Sequence, residues 1–185
     1  MIISLTGFMG CGKSSVGRRL SQLLCCPFMD LDQVIEERAG RTIPEIFASE
    51  GEAAFRAMEL ETLKEIVVAS IGKLLHVIAR SEATWQSVDM VLALGGGAVL
   101  TAECAEIVHS DTICIYLKAS VETLMEHLSG QTDGRPMLGD SDLRTRIEDL
   151  MTLRSETYEK TAHIVIDTDG KSIEAAASEI ISTLV

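Results

Sequence analysis

No stretch of the chain reaches 18 uninterrupted apolar residues, which excludes a membrane span of the helical kind. The opening residues, MIISLTGF, carry no basic segment and no small-residue cleavage site, so no secretory leader is expected. Positive charge is scarce. Sixteen Lys and Arg stand against 28 Asp and Glu, a formal net charge of −12. A general nucleic-acid surface needs a basic patch or stripe, and none is legible, so no nucleic-acid or membrane partner is expected. The five Cys, at 11, 25, 26, 104 and 114, form no CxxC and are odd in number. That is the usage of a reducing compartment, the cytoplasm, with thiols serving as small apolar side chains. The four His, at 76, 109, 127 and 163, show no HxxxH and no zinc-like pairing with Cys, so no structural metal is expected. With three Pro and no internal repeat, nothing marks a linker.

What is present suffices for one core. Apolar residues make up 46% of 185 and charged residues 24%, ordinary values for a single globular domain spanning 1–185. Short apolar runs alternate with amphipathic stretches. Strands are expected near 2–6, 26–30, 91–94, 112–117 and 163–166. Helices are expected at 13–24, 32–39, 101–109, 121–128, 141–158 and 172–184, with a short helical turn at 43–48. A longer helix is expected from Ser49 to about Ala69, because Ser49 and Glu52 have the spacing of a capping box. The 70–89 stretch has no clear period, and either a loop or a hairpin or helical excursion fits it. Strands alternating with helices predict an α/β fold: a parallel sheet covered by helices on both faces, three layers in all.

Gly7-Phe8-Met9-Gly10-Cys11-Gly12-Lys13-Ser14 fits GxxxxGK[ST] between a strand and a helix, the P-loop context. A polyphosphate concentrates negative charge. Backbone N–H groups at a helix N-terminus meet it, and small residues let it approach. The nucleotide-binding residues expected here are Gly10, Cys11, Gly12, Lys13, Ser14 and Ser15. Lys13 supplies a mobile charge to the β- and γ-phosphates, and the Ser14 hydroxyl is a ligand for Mg²⁺. The loop thiol of Cys11 is expected to be open to alkylation and shielded by ATP. Asparagine is missing altogether, which excludes the Asn-Lys-x-Asp element by which a GTP switch reads guanine. The chain is also too short for a motor or transporter ATPase, which leaves a small-molecule kinase.

Phe28-Met29-Asp30-Leu31-Asp32 closes the second strand, with two carboxylates at i and i+2 on one side of an extended chain. A kinase acting on an alcohol needs one carboxylate near the metal and one near the acceptor hydroxyl. Asp30 suits the first task and Asp32 the second; Asp32 as a simple helix cap is the plainer reading. Arg154 falls on the helical stripe of Leu143, Ile147 and Leu150, so it faces the core side, where an unpaired cation is costly and calls for an anion. The Ser129 to Asp140 segment is a polar, Gly-punctuated loop whose one cation is Arg135. It reads as a lid over 129–140 that brings Arg135 onto the phosphates and excludes water.

Taken in order, the phosphate loop, Phe28-x-Asp30-x-Asp32, Phe55-Arg56-x-x-Glu59, Gly95-Gly96-Gly97, Arg135-Pro136-Met137-Leu138 and Arg154 resemble the shikimate kinases, from Met1 to about Tyr158. The resemblance implies a nucleoside-monophosphate-kinase-like fold with a five-stranded parallel sheet and a lid. It also implies transfer of the ATP γ-phosphate to the 3-hydroxyl of shikimate, a step of aromatic amino-acid (chorismate) biosynthesis, in a cytoplasmic monomer. It makes Lys13, Asp32 and Arg135 catalytic, and Asp32, Arg56, Gly96 and Arg154 the substrate contacts. Arg56 and Arg154 form the carboxylate clamp, Glu59 orients Arg56, and Ser14 and Asp30 hold Mg²⁺. The acceptor region is expected at 31–60. Internal ion pairs of Arg56 with Glu59 or Glu52 remain open, as do a gluconate or nucleoside-monophosphate kinase and a non-catalytic nucleotide binder. Three departures stand out: an insertion at about 70–89, Leu128 where many members carry an Arg, and Cys11 after Gly10. Lys171 lies near an adenine-side position and is more simply read as solvated.

Overall fold

A computed structural model describes residues 1–78, 88–129 and 143–184; for 71–78 the description covers the backbone alone. The expected sheet is there: five parallel strands in the order β2-β3-β1-β4-β5. β1 (Ile2–Thr6) is central and buried at every position, as an apolar run covered on both faces should be. It pairs with β3 (Met90–Ala93) through Leu5 and Ala93, and with β4 (Ile113–Lys118) through Leu5 and Ile115. β2 (Phe28–Asp30) flanks β3, and β5 (Ile164–Asp167) flanks β4.

α1 (Lys13–Leu23) and α7 (Ile173–Leu184) pack together on one face of the sheet. α4 (Ala102–Asp111), α5 (Val121–Leu128) and α6 (Leu143–Thr161) form the other layer, with a 3-10 turn at Ala98–Leu100 joining it to β3. The core lies between these layers. It holds Ile3, Leu5, Leu92, Ile115 and Leu117 from the strands and Leu20, Leu124, Ile147 and Ile180 from the helices, all essentially without solvent contact. Truncating one such side chain to Ala costs about 2–5 kcal/mol. The carboxyl ends of β1, β2 and β3 open on one edge of the sheet, where open α/β sheets bind ligands.

α2 (Leu31–Ala39) is capped by Asp30, whose side chain accepts from the Asp32 N–H, and it ends on Gly40 in the left-handed region. α3 (Ile43–Ile78) is the expected pair of helical elements, a short segment and a longer one separated by a non-helical break at Gly51, where φ is 82° and ψ 174°. The capping box expected at Ser49 and Glu52 is not formed, because the Ser49 hydroxyl donates back to the Glu45 carbonyl at 2.7 Å. Ser49 thus closes the segment before the break instead of opening the one after it. The reciprocal box lies earlier. The Thr42 N–H donates to Glu45 Oε2 at 2.7 Å, and the Glu45 N–H donates to Thr42 Oγ1 at 3.4 Å. The helix also runs past Ala69 to Ile78, so a strand at Leu74–Ile78 is excluded. The rest of the expected insertion, 79–87, lies outside the described residues.

Candidate active site

The phosphate loop leaves β1 and enters α1 at Lys13. Gly7 has φ 141°, and a Cβ there would lie 2.6 Å from the Leu117 carbonyl oxygen, so this position admits only glycine. The Lys13 ammonium donates to the carbonyls of Gly7 at 2.9 Å and Phe8 at 3.0 Å. Its charge therefore stays over the loop instead of trailing into solvent. Cys11 departs from expectation. Its side chain is 3% exposed. Its sulfur lies beneath the loop, 2.9 Å from where a Gly7 Cβ would stand. Burial shields this thiol, so the expected open thiol is corrected. The Cys11 N–H donates to the Phe8 carbonyl at 3.2 Å, closing a tight turn.

Where β2 ends, the Ser14 hydroxyl donates to Asp30 Oδ2 at 2.6 Å. Asp30 Oδ1 accepts the Asp32 N–H at 3.2 Å. The cap of α2 is thus Asp30, and the Asp32 carboxylate is free of that duty. Burial pushes Asp32 up to about 6, and the neighbouring Asp30 charge adds to the shift, while Lys13 and Arg56 oppose it. One oxygen of Asp32 lies 2.6 Å from where a Gly95 Cβ would stand, and Glu59 Oε1 lies 2.9 Å from the same point. Two carboxyl groups therefore close around the first glycine after β3, and only a residue without a side chain leaves them room.

Arg56 donates to Glu59 Oε2 at 2.7 Å and to Glu52 Oε1 at 3.2 Å. Both internal ion pairs left open by the sequence are formed, and the guanidinium still borders the cavity against Gly97, whose Cβ would lie 2.5 Å from Arg56 Nη2. Glu59 is 1% exposed at its side chain. Burial pushes it up, with Arg56 opposing. Its second oxygen, Oε1, has no hydrogen-bond partner among the described residues. Arg154 is 5% exposed. Its guanidinium stands 5.8 Å from the Phe8 ring centroid, and among the described residues no carboxylate lies within ion-pair distance of it.

One cavity of about 1090 Å³ brings these groups together. Its lining includes Gly10, Cys11, Gly12, Lys13, Ser14 and Ser15 of the phosphate loop together with Asp30, Asp32, Arg56, Gly96 and Arg154. Arg135 lies outside the described residues. Three residues have contacts here that the sequence reading did not foresee. His127 Nδ1 lies 2.8 Å from the Gly10 carbonyl, and a carbonyl only accepts, so Nδ1 carries the proton. Leu128 is fully buried and packs on Gly10, with a Gly10 Cβ position only 2.9 Å from its side chain. Tyr158, also fully buried, donates its hydroxyl to the Gly96 carbonyl. Its i, i+4 spacing from Arg154 was the one available signal. Lys171 borders the cavity, but its ammonium pairs with Glu179 at 2.6 Å.

The family model described as "Shikimate kinase" matches residues 9–86 and 78–185. The chain belongs to the shikimate kinase family. The shikimate kinase of Thermus thermophilus is 38% identical over 182 residues, covering 98% of this chain and 89% of the relative. That of Symbiobacterium thermophilum is 38% identical over 185 residues, covering 100% and 96%. Among solved structures, shikimate kinase from Acinetobacter baumannii in complex with shikimate superposes with a TM-score of 0.85 at 32% identity, covering 99% of this chain and 92% of that one. Shikimate kinase from Aquifex aeolicus superposes at 0.78 with 30% identity. Among the described residues no helix is long and apolar enough to cross a membrane.

Proposed function

We propose that the chain transfers the γ-phosphate of ATP to the 3-hydroxyl of shikimate. The observation that carries this reading is Arg154: a buried guanidinium without a carboxylate partner among the described residues, in the same cavity as Arg56 and the phosphate loop. A buried cation in that state is stabilised by an anionic ligand, and a guanidinium offers a carboxylate two parallel hydrogen bonds. Shikimate brings one carboxylate and several hydroxyls. A nucleoside monophosphate would bring a base and no carboxylate, and the combination of Asp32, Arg56, Gly96 and Arg154 in one cavity favours shikimate over gluconate.

Lys13 stabilises charge on the phosphates from the loop side, and Arg135 does so from the 129–140 segment, taken as a lid. Asp32 orients the acceptor hydroxyl and accepts its proton. With its carboxyl at about 6 it is ionised at neutral pH and a better base than an ordinary aspartate. Arg56, held by Glu59, and Arg154 grip the carboxylate, while the Gly96 backbone approaches the ring. Ser14 and Asp30 suit Mg²⁺, since both offer hard oxygens within 2.6 Å of each other and Mg²⁺ takes its remaining ligands from phosphate and water. When bound, Mg²⁺ would neutralise charge on the β- and γ-oxygens.

The free cysteines support a reducing compartment, the cytoplasm. The acceptor region is 31–60, and the 70–89 stretch is an insertion, of which the part up to Ile78 belongs to α3. A coupled ADP-release assay with shikimate, gluconate or no acceptor tests the assignment. Turnover with shikimate alone is expected, and a rate equal to background ATPase would refute it.

A further inference from the structure

Tyr158 stands one helical turn beyond Arg154 on α6, so the two side chains share a face. It has no solvent contact, and its ring packs on that of Tyr116 with centroids 5.3 Å apart. Its hydroxyl donates to the Gly96 carbonyl, 62 positions away in the chain, and the Arg154 guanidinium stands beside that hydroxyl. A phenol has one proton to give and lone pairs with which to accept. With the proton committed to Gly96, the oxygen faces Arg154 as an acceptor. One buried atom therefore ties the wall after β3 to the cation on α6.

This tie has a directional consequence. The Gly96 carbonyl and the Gly97 N–H belong to one planar trans peptide and point opposite ways. Holding the carbonyl towards α6 turns the N–H away from α6. The same peptide abuts Arg56, since a Gly97 Cβ would lie 2.5 Å from Arg56 Nη2. The Gly96–Gly97 peptide thus meets the Tyr158 hydroxyl at one atom and the Arg56 guanidinium at the other.

We propose that Tyr158 is a positioning residue for the acceptor, its hydroxyl locking the Arg154 guanidinium and the Gly96 peptide in the arrangement that receives the carboxylate. The inference rests on the acceptor assignment made above. Burial pushes the Tyr158 hydroxyl up to about 12, with Arg154 opposing, so the proton stays in place across the working range of an enzyme. A purely structural hydroxyl would satisfy the Gly96 carbonyl and influence stability alone.

Tyr158→Phe removes one oxygen and keeps the ring. In the full-length protein, shikimate and ATP are varied separately. The KM for shikimate is expected to rise about tenfold, the size of one lost bond to a charged group. The KM for ATP should stay within about twofold, since the lost bond lies outside the phosphate loop. Tyr116→Phe serves as control, because the Tyr116 hydroxyl has no partner among the described residues, and both constants should hold. A second readout needs no change at 158. The chain has only two Tyr, so ring-fluorinated tyrosine in the Tyr116→Phe background gives a single fluorine resonance, at 158. Shikimate added without nucleotide should shift that resonance. Shikimate turnover by the parent with an unchanged KM in Tyr158→Phe, or an unmoved fluorine signal, would overturn the role of Tyr158 and leave the acceptor assignment standing. Absence of shikimate turnover in the parent would overturn both.

Discussion

The Ser14 hydroxyl and the Asp30 carboxylate meet at 2.6 Å, joining the first turn of α1 to the end of β2. Neither residue can shift without disturbing the other. If the pair holds Mg²⁺ together, Asp30→Asn and Ser14→Ala should each raise the Mg²⁺ concentration for half-maximal rate by about tenfold or more. The double variant should be little worse than either single one, because both act on one ion. Rates measured across a Mg²⁺ titration check this, and unchanged metal dependence in Asp30→Asn would remove Asp30 from the site.

Gly97 has no room for a side chain, yet the atom in the way is the mobile end of Arg56. Gly97→Ala should therefore fold with little loss of stability while dislodging one arm of the clamp. We expect an unfolding midpoint near that of the parent and a KM for shikimate raised about tenfold, with the KM for ATP unchanged. A large fall in stability would mean that the backbone, and not Arg56, absorbs the strain.

Asp32 carries a cost to folding that depends on pH. Its carboxyl is raised from 3.8 to about 6 in the folded chain. Between those values the native state holds a proton that the unfolded state has lost, so this group's contribution is fully present below about pH 4 and is lost as pH rises through about 6. Asp32→Asn should thus stabilise the nucleotide-free protein at pH 7.5, by on the order of 2 kcal/mol, and stabilise it hardly at all at pH 4. The same substitution should abolish turnover. Denaturant unfolding of both proteins at the two pH values measures the difference, and an equal gain at both would refute the raised carboxyl.

His127 reaches the Gly10 carbonyl from the last turn of α5, where Leu128 packs beneath the same glycine. Losing that bond should loosen the phosphate loop. His127→Ala is expected to raise the KM for ATP about fivefold, the worth of about 1 kcal/mol, and to leave the KM for shikimate alone. His127→Asn, whose amide N–H can replace Nδ1–H, should recover most of the loss. Equal KM values for ATP in parent and Ala variant would show the contact to be incidental.

Much of this site is legible from residues alone, for identifiable reasons. The phosphate loop depends on local backbone freedom and on a strand and helix adjoining it, all of which lie within one short segment. Arg154 shows itself because a cation on an apolar helical stripe is an anomaly at the level of periodicity. Tertiary contacts decide the remainder. Of two S/T-x-x-E spacings, Thr42–Glu45 caps the segment from Ile43, while the break at Gly51 starts the next segment past Ser49, so Ser49–Glu52 does not cap it. The inward turn of Cys11 depends on Gly7 and Tyr116, over a hundred positions apart in the chain. Tyr158 resembles any core aromatic until Gly96 is seen to lie against its hydroxyl.

The most direct test of the account is a calorimetric titration of shikimate into the parent and into Arg154→Met, a change that fills the volume of the arginine stem without its charge. The parent should bind, and the variant should bind about a hundredfold more weakly or not at all, since a desolvated charge pair with one partner removed costs about 3–5 kcal/mol, while its affinity for ATP is retained. Equal affinity for shikimate in the two proteins would contradict the claim that the buried guanidinium at 154 is there to receive an organic acid.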